Sequence, residues 1–160
     1  MASKSVRQRI VEALQAALRA IDDSGAYHYP VNDPSQVSVD PTTNVLTSNG
    51  ADLPLYVIEP TPEGSRTFYP AMQLVSEFEV NVQARMDAED GDPTGAARLA
   101  CWENLAHDIE KALAVDVTLG GLVYDVRVQE PRPFVGVGSN IVILVQPVTL
   151  RLHRTYGEPS

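Results

Sequence analysis

The chain has 160 residues, 44% of them hydrophobic, and a formal net charge of −9. A chain of this length fits one domain, residues 1–160, able to bury roughly 68–70% of the surface its unfolded form exposes without cross-links. Its single cysteine, Cys101, excludes an internal disulfide and a multi-cysteine zinc site, and an acidic surface with scattered basic residues argues against gripping a nucleic-acid backbone.

Residues 4–22 predict an amphipathic helix, because Val6, Ile10, Leu14, Leu18 and Ile21 recur at three- and four-residue spacing. Ser3 or Ser5 can cap its first turn, and Ser24-Gly25 supplies a stop. Residues 26–52 carry Pro30, Pro34 and Pro41 among polar residues and predict a long loop, with an extended piece near 36–39 able to pair on a sheet edge. Residues 53–59 predict a strand, with Pro54 at its beginning, where a missing N–H does least harm. The following loop, 61–70, is long enough to project as an arm bearing Arg66, Phe68 and Tyr69.

From 74 to 86 apolar residues (Leu74, Phe78, Val80, Val82, Ala84, Met86) alternate with polar ones (Glu77, Glu79, Asn81, Gln83, Arg85). This period of two predicts a long strand with one buried face and one presented to water or a partner. An acidic turn over 87–92 follows, with Asp92 as N-cap and Pro93 as first residue of a helix over 94–115. Ala97, Cys101, Leu105, Ile109 and Leu113 form that helix's stripe, and Leu119-Gly120-Gly121 closes it. Alternation over 122–129 predicts a strand, and 131–138 a turn. The unbroken run Ile141-Val142-Ile143-Leu144-Val145 predicts a strand covered on both faces, which continues outward past Pro147. The sum is an α+β fold: a mainly antiparallel sheet of four or five strands, two helices on one face, and long projecting loops.

Nothing along this order supplies a reaction centre. Asp87, Glu89, Asp90 and Asp92 do not make a calcium loop, because the sixth position, which needs Gly, is Asp92. Gly136 and Gly138 echo a dinucleotide fingerprint whose third glycine would fall on Ile141, and no Lys follows as a phosphate loop demands. Cys101 lies on an apolar stripe, His107 lies roughly opposite it, His28 is in a loop and His153 in the last strand, so no Cys–His pair is legible. Tyr27-His28-Tyr29 lacks the flanking basic residues of a single-strand stacking platform. No apolar run approaches a membrane span or a secretory h-region. The expectation is a soluble, intracellularly made protein that is not an enzyme and has no catalytic, cofactor or metal site. Its working surface is expected at Glu77, Glu79 and Arg85 of the long strand and at Arg66, Phe68 and Tyr69 of the arm.

The element order resembles the tail terminator proteins (tail completion, minor tail protein U-like) of tailed bacteriophages. The likeness rests on the helix over 4–22, the strand over 53–59 and the long strand ending Ala84-Arg85-Met86-Asp87. It continues through the helix ending Asp108-Ile109-Glu110-Lys111-Ala112-Leu113, then Thr118-Leu119-Gly120-Gly121 and the closing strand to His153-Arg154-Thr155-Tyr156. The resemblance implies a structural virion protein at the neck, assembled in the host cytoplasm. It would form a homo-hexameric ring that caps the tail tube, ends tube polymerisation and offers a docking face to the head-completion (connector) protein. DNA would pass through the lumen without specific binding, and no cofactor is implied. Head-completion or neck adaptor proteins on the portal side share size, acidity and a similar mixed fold and are the alternative. A small hydrolytic or metal-dependent enzyme is a remote one.

Overall fold

The computed structural model describes residues 3–39, 45, 52–60, 66–68, 74–88, 95–135 and 140–154, with backbone alone at 66–68, 74–76, 133–135 and 153–154. Helix α1 spans Val6–Arg19 and buries Ile10, Leu14 and Leu18. Its start is a capping box: the Ser5 hydroxyl accepts from the Gln8 N–H (3.2 Å), and the Gln8 side chain accepts from the Ser5 N–H (2.9 Å). The helix stops at Ala20, short of the expected residue 22, although Ile21 stays buried just beyond it.

The strands are β1 (Val37–Ser38), β2 (Leu55–Pro60), β3 (Arg66–Phe68), β4 (Leu74–Asp87), β5 (Asp125–Val128), β6 (Arg132–Val135) and β7 (Ile141–Arg154). Fourteen-residue β4 and β7 pair antiparallel along their whole length, from Leu74↔Arg154 to Asp87↔Ile141, and form the centre of the sheet. On the outer side of β4, β2 pairs with 80–85 and β3 with 75–77, so β3 prolongs the line of β2. On the outer side of β7, β5 pairs with 148–151 and β6 with 142–145, so β6 prolongs β5. Five rows result, α+β in class; the sheet is mixed, because β1 runs parallel to β2.

The segment expected as a turn over 131–138 thus begins with a strand. Between Val128↔Val148 and Arg132↔Val145, three residues (Gln129, Glu130, Pro131) face two (Gln146, Pro147), which is a bulge. Pro147 can sit in a central strand because the bulge interrupts the ladder beside it; its carbonyl still accepts from the Gln129 N–H at 2.9 Å. Gln146 faces the core, and its side-chain amide donates to the Gln129 carbonyl that the bulge frees from the ladder.

Helix α2 (Ala96–Ala114) lies with α1 on one face of the sheet, and Cys101, Leu105, Ile109, Ala112 and Leu113 meet Tyr56, Ile58, Phe78, Val80, Val82, Leu144 and Leu150 in the main core. The residue before α2 is Gly95, at φ +77 and without a side-chain cap; Asp92 and Pro93, expected to start it, lie outside the described residues. A turn built on Asp116 follows α2. Its carboxylate accepts from the Thr118 N–H (2.9 Å) and hydroxyl (2.7 Å) and from the Gly120 N–H (2.7 Å). Gly120 and Gly121 have φ of +70 and +82, which only glycine adopts without strain. On the opposite sheet face a smaller cluster joins Val45, Leu55, Val57 and Ile143. Coverage from both sides explains the unbroken apolar run beginning at Ile141.

Residues 26–39, expected as loop, contain the short helical turn Pro34–Gln36 and are fastened to both helices. The Lys111 ammonium donates to the Ala26 carbonyl (2.7 Å), and the Gln15 amide to the Val37 carbonyl (2.9 Å). The Gln36 side chain accepts from the Asn32 and Asp33 N–H groups (2.8 and 2.7 Å) and donates to the Pro54 carbonyl (3.0 Å). Tyr27, Tyr29 and Val31 pack against the core.

Candidate functional site

The strand alternation puts Glu59, Glu77, Glu79, Asn81, Gln83, Asp125, Arg127, Thr149 and Arg151 on the sheet face away from the helices. Most of these side chains are paired, across strands or, for Arg127 with Asp125, along β5. Arg151 Nε lies 2.5 Å from Glu77 Oε1, its directly opposite neighbour, with the two side chains 31% and 19% exposed. The Gln129 amide donates to both Thr149 Oγ1 (2.6 Å) and Glu79 Oε1 (3.2 Å). The Gln83 amide donates to Glu59 Oε2 (2.7 Å), and Arg127 Nε to Asp125 Oδ2 (2.8 Å). Each such pair contributes no more than about 1 kcal/mol to stability. Their larger effect is to fix rotamers over a surface that stays partly open to water.

Of the expected interface residues, Glu77 and Glu79 lie on this face, half-buried and paired. Arg85 shares the face but does not present itself: it is 6% exposed beneath Val45, donating Nη1–H to the Val45 carbonyl (3.1 Å) with Nε 3.6 Å from Asp87. Sequence alternation places its side but not its cover, since Val45 comes from 40 residues away. Arg66 and Phe68 belong to β3, hydrogen-bonded to β4, with only their backbone described; Tyr69 lies outside the described residues, as do Glu89, Asp90, Gly136 and Gly138.

The helix side carries polar chemistry that the sequence does not announce. Asp108, at a stripe position three residues after Leu105, is fully buried. Its carboxylate accepts from the main-chain N–H of His28 (2.9 and 3.0 Å) and of Tyr29 (2.8 Å). The imidazoles of His28 and His107 lie beside it, exposed, with ring centroids 5.3 Å apart and edge to face. A carboxylate inside an otherwise apolar stripe is the signal that could have found this group. Cys101 is buried, and burial pushes its thiol pKa up, with the Tyr29 hydroxyl as its hydrogen-bonding neighbour. Burial first, and then that contact, push Tyr29 up to about 12. A thiol held protonated is a poor nucleophile. A groove of about 360 Å³ between the C-terminal turns of α1 and α2 is lined by Ala13, Ala17, Tyr27, Ala112 and Leu119, with Asp116 its one carboxylate, already engaged in the turn. No described helix is long and apolar enough to cross a membrane.

Comparison with protein-family models finds no match, and comparison with curated proteins finds no significant one.

Proposed function

We propose that this chain is a structural virion subunit of the tail terminator kind: a protein that closes into a six-membered ring on the end of a phage tail tube, stops its growth and offers its other side to the head connector. The observation that carries the reading is the sheet face over β2, β4, β7 and β5, whose polar side chains are held in cross-strand pairs yet remain partly exposed. Ordered side chains lose little rotamer freedom on docking, so such a face suits repeated subunit contacts. Ring closure requires two different surfaces per subunit; the paired face and the sheet's outer rows supply candidates. The element order that carries the resemblance recurs in the fold, from α1 through the long β4·β7 pair. The net charge of −9 suits a subunit past which DNA slides rather than sticks. The reading assigns no catalytic step to any residue.

Co-sedimentation of the purified chain with isolated tail tubes and, separately, with isolated head connectors tests it. Capture by tube ends is the expected result. Capture by connectors alone would transfer the protein to the head-completion side of the neck, and capture by neither would remove it from the neck.

A further inference from the structure

We propose that His28, His107 and Asp108 form a binding site for one divalent transition-metal ion of the zinc type, with water in the outward coordination positions. The site is independent of the sheet face and of the assembly role. One ligand atom from each of the three residues lies within 4.8 Å of the other two. Tetrahedral zinc at about 2.0–2.1 Å from its ligands sets them about 3.3 Å apart. The closure needed, at most about 1.5 Å, falls on two exposed imidazoles rather than on the buried carboxylate.

The donor set selects the ion. Two imidazole nitrogens and one carboxylate oxygen suit zinc and its first-row neighbours, whereas calcium and magnesium take oxygen ligands. The carboxylate is already oriented: the His28 and Tyr29 N–H groups hold it, with Oδ2 accepting two bonds and Oδ1 one, so Oδ1 keeps a lone pair for an ion. It also lacks a countercharge. Among the described residues Asp108 makes no ion pair, and Lys111, one turn along α2, is directed to the Ala26 carbonyl and over the Tyr27 ring. A buried carboxylate without a cationic partner is costly, and an ion beneath the two imidazoles would offset that cost. Binding would clip the segment around His28 to α2, joining positions 80 residues apart in the chain.

Zinc sulfate titrated into the full chain, read by calorimetry and by thermal unfolding, tests the site. One ion per chain and a higher unfolding midpoint are expected. His28→Ala and His107→Ala should each weaken binding at least about tenfold. Both alter exposed side chains, and alanine at 28 keeps the N–H that Asp108 accepts, so both variants should fold. Cobalt(II) in place of zinc should give visible d–d absorption in the wild type and in Cys101→Ala, and lose it in both His variants. No binding by the wild type, undiminished binding by either His variant, or loss of the cobalt spectrum in Cys101→Ala would overturn the assignment.

Discussion

At Asp108 one buried carboxylate satisfies the main-chain N–H groups of two consecutive residues, His28 and Tyr29, and thereby fastens the segment after α1 to α2. Asp108→Ala would strand those two donors in the interior, and we expect a loss of roughly 3 kcal/mol in urea unfolding. Asp108→Asn keeps an acceptor oxygen and should lose clearly less. Equal losses for the two would mean that Asp108 acts through its charge rather than as an acceptor. Cys101 gives a second residue-scale prediction. Burial raises its thiol pKa above the ordinary 9.0, so the neutral form is favoured in the fold. That contribution to stability is present below pH 9.0 and is lost as the pH rises through the folded value. A disulfide reagent at pH 8 should therefore modify the native chain much more slowly than the urea-unfolded chain; equal rates would mean an accessible, reactive thiol.

The elements were legible to different degrees, for local reasons. Helix α1 and strand β4 follow from periodicity that spans three or more turns or repeats, and the Ser5 cap was readable because capping is decided within four residues. β6 was hidden because Pro131 and Pro133 read as a turn, whereas the strand continues β5 across a bulge whose partner residues lie in β7. A carboxylate within the apolar stripe of α2 marks Asp108 locally, but the buried state of Arg85 and the meeting of Asp108 and His107 with His28 depend on contacts 40 to 80 residues apart, which no local pattern encodes. Gln146 offers a test of the bulge. Its amide donates to the Gln129 carbonyl, while its own Oε1 has no hydrogen-bond partner among the described residues. Gln146→Leu removes one bond and one buried unpaired oxygen together, so its effect should stay within about 1 kcal/mol. Gln146→Ala adds a cavity and should cost about 2–3 kcal/mol. Denaturant midpoints at constant slope measure both, and a leucine variant as unstable as the alanine one would mean that the amide is essential to the bulge.

Across the whole molecule the two sheet faces divide the work. The helix face holds the main core, and the opposite face holds paired polar side chains with a small apolar cap at the Val45 end. That division was visible in the alternation of β4; that the polar face is pre-ordered, and that its Arg85 end is covered, was not. A net charge of −9 opposes premature self-association in dilute solution, which suits the proposed ring, closing on a tube end. The proposed role is arrest of tube growth. Purified tail tube protein allowed to polymerise with increasing amounts of this chain, with tube lengths read by electron microscopy, tests it most directly. Tubes should shorten as the chain is added and carry a ring on the capped end; tubes of unchanged length with bare ends at saturating chain would contradict the account.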